Sequence, residues 1–265
     1  MSDVLADRIE RMERFVKRMN EVERDLTSPY VRPKDAATLI MVDRGGSVPK
    51  VLLGKRHHGH KFMPGKFVFP GGRVDPADRH MPVARPLDPS TEAHLMKRLQ
   101  RPSAEKARAF ALAAIRETFE ETGLLLGVRG HATAKVPRGP WTAFAEANIL
   151  PDLGALHLIG RAITPPGRPR RFDARFFTMD ASAVAHRIDG VIGPEAELVE
   201  LVWMPLADAK QLDMLLGDGI VFLLHQLVGH GARVLARHVI ETGVGAGNQL
   251  HFDGGGLRHG EPRSR

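Results

Sequence analysis

Three glutamates on one face of a predicted helix constrain this chain more than any other feature. They are Glu117, Glu120 and Glu121. Ser103 is a good N-cap residue and Gly123 a good C-terminal stop, so a long helix is predicted between them. At about 100° per residue the three carboxylates lie on one side of this helix. An apolar stripe lies on the other side and must be buried: Leu112, Ile115 and Phe119.

Carboxylates at these spacings repel, by a few tenths of a kcal/mol per pair on an isolated helix. The acidic face is therefore either open to water or neutralised by cations. Oxygen ligands alone suit hard ions such as Mg²⁺ or Mn²⁺, which often bind phosphates as well. The helix by itself is compatible with both a solvated face and a metal site.

Short apolar runs separated by turns predict a sheet around this helix. The predicted strands are 36–42, 50–54, 66–69, 155–164, 174–179 and 197–204, and the other predicted helices are 90–99, 206–216 and 220–229. Mixed short strands, few helices and no second core-sized block predict one α+β domain with additional segments.

The domain organisation predicted from these patterns has three parts. Residues 1–30 contain an amphipathic helix at 3–26, which either docks on its own domain or pairs with a second copy. Residues 31–240 form the main domain, and 241–265 a glycine-rich tail. Five prolines in 76–102 indicate an insertion rather than core, with two candidate roles, shaping the mouth of a pocket or forming a homodimer interface.

The residues on both sides of this insertion resemble the Nudix box, in which Gly, five residues, Glu and seven residues precede Arg-Glu-aliphatic-x-Glu-Glu-x-Gly-aliphatic. The second half matches Arg116, Glu117, Glu120, Glu121, Gly123 and Leu124, with Thr118 at an aliphatic position. The first half matches Phe69-Pro70-Gly71-Gly72, with Asp78 in place of the usual Glu. Asp78 and Arg116 are separated by 37 residues instead of seven, so 30 are inserted, at about 79–108.

The resemblance implies a Nudix fold, an α/β/α sandwich with a mixed sheet, and hydrolysis of a nucleoside diphosphate linked to another group. The implied ligands of Mg²⁺ or Mn²⁺ are Glu117, Glu120, Glu121 and a backbone carbonyl near Gly72. The implied catalytic residues are Glu117, Glu120 and Arg116, with Arg116 pairing with Glu120 at i+4. The general base is either a box glutamate or one within 195–200.

Segments 51–56, 62–75, 163–165 and 171–177 resemble the Nudix branch with a split box that contains the peroxisomal coenzyme A diphosphatases. This implies cleavage of CoA or acyl-CoA to 3′,5′-ADP and (acyl-)4′-phosphopantetheine. The candidate substrate-binding residues are Lys55, Arg56, Lys61, Arg171 and Arg175, which could equally be ordinary surface cations. The alternatives are ADP-ribose, NADH or dinucleoside polyphosphates as substrates, or a non-catalytic nucleotide- or RNA-binding module.

Charge and composition limit the classes of partner that this chain is expected to bind. The net charge of +7 arises from 38 Lys and Arg against 31 Asp and Glu, and the excess lies in two patches, 32–75 and 161–175. A small anionic nucleotide is the expected partner, nucleic acid is disfavoured because few aromatics are available for stacking, and a homodimer is an alternative. Trp141 and Trp203 could stack on a base, although Trp203 lies in an apolar strand typical of a core.

The absence of cysteine excludes disulfides, a cysteine nucleophile and thiolate metal sites. No apolar run approaches the roughly 20 residues of a membrane span. The charged N-terminus is unlike a signal peptide, so a cytoplasmic protein is expected.

Overall fold

The computed structural model describes residues 30–59, 64–97, 99–130, 135–164, 166–168, 170–209, 212 and 240–242. Four predicted features lie outside the described residues: the helix at 3–26, Lys61, the helix at 220–229 and the tail beyond Thr242.

The strands are β1 Lys34–Asp43, β2 Lys50–Arg56, β3 Phe67–Val68, β4 Gly71–Arg73, β5 Leu124–Leu126, β6 Val128–Arg129, β7 Ile149–Leu150, β8 His157–Ile163, β9 Phe172–Asp180, β10 Val184–Arg187, β11 Leu198–Pro205 and β12 Ile240–Thr242. The α-helices are α1 Pro89–Met96, α2 Ala104–Thr122, α3 Trp141–Glu146 and α4 Leu206–Ala209. Short 3₁₀ helices span Pro76–His80, Leu153–Ala155 and Ala181–Ala183.

Eight strands of the described chain form one mixed sheet. Its order is β11-β2-β1-β9-β8-β12, with β3 paired to β2 and β4 paired to β1. The central pair β1 and β9 is parallel, whereas β1–β2, β2–β11 and β8–β9 are antiparallel. Two further pairs, β5–β10 and β6–β7, lie outside this sheet. The predicted α+β class and mixed sheet are confirmed.

Strand β1 is buried on both faces, which explains its continuous apolar sequence. Leu39 and Met41 belong to the core cluster that includes α2, while Ile40 and Val42 belong to a second cluster on the other face. The second cluster also contains Leu206 and Ala209 of α4. Helices therefore cover both faces of the sheet, as expected for the α/β/α sandwich.

Helix α2 has the predicted ends. The Ser103 hydroxyl accepts a hydrogen bond from the Lys106 amide, and Gly123 ends the helix with φ of 75°, in the left-handed region that favours glycine. The Thr118 hydroxyl, at an aliphatic position of the box, donates to the carbonyl of Ala114. In the described part of the chain no helix is both long and apolar enough to cross a membrane.

The insertion packs into the main core, which corrects the expectation that it lies apart from it. Met81, Leu87 and Leu95 are buried in the cluster that contains α2. Arg85 forms an ion pair with Asp152, which ties the segment to the turn before β8. Pro76 and Pro89 begin helices here, and the apolar residues between the prolines pack in the cluster that contains α2.

Candidate active site

Two glycines bring strand β4 against helix α2. A Cβ at Gly71 would lie 2.5 Å from the carbonyl oxygen of Ala37, because β4 pairs closely with β1. A Cβ at Gly72 would lie 2.4 Å from the carboxylate carbon of Glu117. The Glu117 carboxylate therefore occupies the space that a side chain at Gly72 would fill. Burial raises the pKa of Glu117, and the Arg116 guanidinium opposes this effect.

Arg116 is the centre of the hydrogen-bond network. Its Nε and Nη2 donate to the two oxygens of Asp78 at 2.8 and 3.2 Å, and Nη2 also donates to the Arg73 carbonyl at 2.7 Å. Its Nη1 donates to Oε1 of Glu117 at 2.9 Å and to Oε1 of Glu120 at 2.7 Å. These five bonds match the five N–H groups of a guanidinium. The predicted Arg116–Glu120 pair is present, and the network fixes both carboxylates.

Asp78 makes a complete set of contacts although it is shorter than the usual Glu. It is fully buried, and its Oδ1 accepts from Arg116 and from the indole Nε1 of Trp141 at 3.2 Å. Its Oδ2 accepts from Arg116 and from the Asp75 amide at 2.8 Å. Burial would favour the neutral form of Arg116, but hydrogen bonds to Asp78 and Glu120 raise its pKa overall. The guanidinium of Arg116 is thus held charged beneath the glutamates.

Glu121 lies on the other side of the acidic face. It is 7% exposed, and its Oε2 accepts a hydrogen bond from the Gly71 amide at 3.3 Å. Burial and the nearby Glu197 carboxylate raise the pKa of Glu121 to about 8, with Arg56 acting in the opposite direction. The Glu197 carboxylate is thus close enough to disfavour the charged form of Glu121.

One of the predicted substrate-binding residues, Arg56, lies beside this face. Arg56 forms an ion pair with Glu197 at 3.2 Å, and the backbone of the next residue bonds to the Glu197 carbonyl. Lys55 lies 4.0 Å from Glu200, and its ammonium is 5.8 Å from the ring centroid of Phe67. Both cations come from the end of β2, but they lie on opposite faces of the sheet. Phe67, which Lys55 contacts, packs against the cluster on the face away from α2. The structure therefore does not bring Lys55 to the acidic face, contrary to the prediction.

The other two described candidates have internal partners. Arg171 is 6% exposed and donates to the carbonyls of Thr164 and Val31. Arg175 is 2% exposed, is paired with Asp173 and packs over the ring of Phe110. The structure does not bring them to the acidic face, because their guanidinium groups hold strand ends and the α2 interface. We therefore leave both out of the proposed substrate site.

The acidic face suits a hard divalent cation by donor type and charge. As the side chains stand, no three His, Asp or Glu groups among the described residues converge closely enough to hold an ion. However, Arg116 engages only Oε1 of Glu117 and of Glu120, and Gly71 only Oε2 of Glu121. The described residues at this site include more acidic than basic side chains, which favours binding of a cation. The acidic residues are Asp78, Glu117, Glu120, Glu121 and Glu197, and the basic residues are Arg56 and Arg116.

The hydrogen bond from the Trp141 indole to Asp78 is the contact that the sequence did not predict. Trp141 lies 63 residues after Asp78, on the short helix α3, and is fully buried. This burial rules out the suggested stacking of Trp141 on a base. A tryptophan after Gly-Pro carries no signal that would connect it to a distant aspartate. Glu197, by contrast, lies within the segment 195–200 predicted to supply a base.

Comparisons with known proteins agree with the fold and the box. A crystal structure of a NUDIX hydrolase from Alicyclobacillus acidocaldarius superposes with a TM-score of 0.57 and 27% identity, over 79% of this chain and 97% of that chain. No protein-family model matches the chain. The chain has the Nudix fold, and its resemblance to the Nudix hydrolases is confirmed.

Two curated relatives are also Nudix proteins by name. The putative nudix hydrolase 7 of Caenorhabditis elegans is 28% identical over 158 residues, which are 55% of this chain and 44% of the relative. The acyl-coenzyme A diphosphatase NUDT19 of Homo sapiens is 30% identical over 178 residues, 48% of this chain and 47% of the relative. The chain thus matches about half the length of each. These relatives support the prediction of a Nudix-type hydrolase.

Proposed function

We propose that this protein is a divalent-metal-dependent diphosphatase that hydrolyses a nucleoside diphosphate linked to another group. The observation that carries the proposal is the Arg116 network, which fixes Glu117 and Glu120 beside Gly72 with Glu121 on the same helix face. Glutamates on a solvated helix face would not require this support from a buried aspartate, a fully hydrogen-bonded arginine and a glycine that leaves space for a carboxylate.

Mg²⁺ or Mn²⁺ would be held by Glu117, Glu120 and Glu121 with the backbone near Gly72. Such an ion neutralises the diphosphate and lowers the pKa of a bound water. Arg116 orients two of the carboxylates. Water adds to one phosphorus, the anhydride P–O bond breaks, and the proton of the water passes to a carboxylate. Glu121, a box glutamate, and Glu197, within the segment 195–200, are the candidates for this base, and their carboxylates lie near each other.

CoA or acyl-CoA is the substrate we propose, with 3′,5′-ADP and (acyl-)4′-phosphopantetheine as products. The similarity to the human acyl-coenzyme A diphosphatase supports this choice. Arg56, at the end of β2 beside Glu121, lies where a cation could contact the additional phosphate of CoA.

Isosteric replacement of the acids tests the metal assignment. We expect Glu120→Gln and Glu121→Gln each to lower kcat by at least about a hundredfold with Mg²⁺ or Mn²⁺, with unchanged folding by circular dichroism. Glu146→Gln, on the exposed side of α3, is the matched control and should keep full activity. Wild-type turnover by both box variants would contradict the assignment.

A substrate panel with product analysis tests the specificity. CoA, acyl-CoA, ADP-ribose, NADH and a dinucleoside polyphosphate are compared at equal concentration. Preferential release of 3′,5′-ADP supports the proposal. Cleavage of ADP-ribose with CoA untouched would overturn the CoA assignment but leave the diphosphatase intact, and binding without cleavage of any would favour the non-catalytic module.

A further inference from the structure

We propose that Trp141 is a positioning residue for the metal-binding carboxylates, which it orients through Asp78 and Arg116. The inference rests on the proposed function, because it concerns how the same acidic face is held. It assigns a role to a residue that is distant in sequence and touches neither substrate nor metal.

The first step is the saturation of Asp78. Its two oxygens accept four hydrogen bonds: two from Arg116, one from the Asp75 amide and one from the Trp141 indole. A carboxylate offers about four acceptor sites, so each donor occupies one. Because Asp78 is fully buried, water cannot replace a missing donor. Loss of the indole N–H leaves Oδ1 with Arg116 alone.

The second step is the orientation of Arg116. The guanidinium is planar, so the direction of its Nε–Nη2 edge toward Asp78 fixes the direction of Nη1. Nη1 is the group that binds Oε1 of both Glu117 and Glu120. A small rotation of Asp78 therefore displaces both carboxylates together. The Trp141 indole donates to Oδ1 and the Asp75 amide to Oδ2, so both oxygens of Asp78 are held against this rotation.

The third step is the rigidity of Trp141. It is fully buried at the first position of α3, and its ring packs 5.1 Å from the ring of Phe144, centroid to centroid. Phe144 in turn packs edge-on against Phe119 of α2, at 5.4 Å. The indole is thus fixed with respect to the helix that bears the acids, and the orientation of Nε1 is set by packing.

Mn²⁺ binding measured by electron paramagnetic resonance on the substrate-free protein tests the inference. Trp141→Phe removes the N–H donor, and we expect the Kd for Mn²⁺ to rise by about tenfold, the low end of the effect typical of residues that orient metal ligands. Trp203→Phe is the matched control, because it makes the same change at a tryptophan that packs against the core but donates none of the four hydrogen bonds to Asp78. Its Kd should stay within about twofold of wild type.

The outcomes separate this inference from the function on which it rests. Wild-type protein that takes up no Mn²⁺ would overturn the proposed function. Wild-type Kd in Trp141→Phe, or an equal rise in both variants, would overturn only the role of Trp141. If Trp141→Phe does not fold, the indole N–H signals of the wild type decide in a ¹⁵N spectrum. The Trp141 signal, assigned with Trp203→Phe, should shift on addition of Mg²⁺, and a fixed signal overturns the inference.

Discussion

The position of Glu117 depends on the absence of a side chain at Gly72. A methyl group there would lie 2.4 Å from the carboxylate carbon, so the carboxylate must move away. Displacement of a catalytic group by about 1 Å is enough to lower a rate by about a hundredfold. We therefore expect Gly72→Ala to lower kcat by about that factor. Its melting temperature should change little, because the group that moves is the end of a side chain.

Two other glycines provide the comparison for this variant. Gly46 has no neighbouring atom within 4 Å of an added Cβ, so Gly46→Ala should leave both activity and stability unchanged. At Gly71 an added Cβ meets the backbone of Ala37 and Thr38, so Gly71→Ala should instead reduce stability. Full activity of Gly72→Ala would show that Glu117 is not needed at this position.

Glu121 gives the metal-free protein a pH-dependent stability. Its pKa is near 4.5 when exposed and about 8 in the fold, where burial and Glu197 favour the protonated form. Between these values the folded state retains a proton that the unfolded state has lost, so stability falls as pH rises. In denaturant titrations across this range, Glu121→Gln should remove much of the decline. Parallel curves for wild type and variant would contradict the assignment of the decline to Glu121.

At the scale of elements, the insertion contributes to stability because α1 is anchored in the core. Leu95 of α1 is 1% exposed and packs in the cluster that contains α2. Leu95→Ala should therefore lower the free energy of unfolding by about 2–5 kcal/mol, measured by denaturant titration. Lys97→Ala, at the exposed end of the same helix, should change it by less than about 0.5 kcal/mol. A small effect of Leu95→Ala would mean that the insertion is only loosely attached.

The elements with strong local signals could be predicted from the sequence. Helix α2 begins after Ser103 and ends before Gly123 as expected, because capping is decided by residues within one turn. Strand β1 was predicted because burial on both faces gives an apolar run. The periodicity of the helix predicts the acidic face. The i+4 spacing predicts that Arg116 pairs with Glu120.

The remaining elements depend on contacts that are distant in sequence. Gly71–Arg73 lies outside the predicted strands, but it pairs with β1 as a strand because glycine permits the close approach. Within the described part of the chain, the very short strands β6 and β7 pair with each other alone. Arg171 and Arg175 were predicted to face substrate, yet their charges are used to hold the β8–β9 region. The sequence shows that a residue is charged but not where its side chain points. Tertiary contacts decide whether an arginine faces solvent or core.

For the whole molecule, the +7 charge should accelerate the capture of an anionic substrate. Raising NaCl from about 0.1 M to about 1 M shortens the Debye length from about 10 Å to about 3 Å. Over this range we expect kcat/KM for CoA to fall by about fivefold or more, with little change in kcat. Arg56→Gln should weaken this salt dependence, because Arg56 lies close to Glu121 on the acidic face. Lys50→Gln, at the exposed other end of β2, removes the same charge and should retain most of it. Equal effects of both variants would mean that the net charge acts without a local contribution from Arg56, and its place in the substrate site would have to be abandoned.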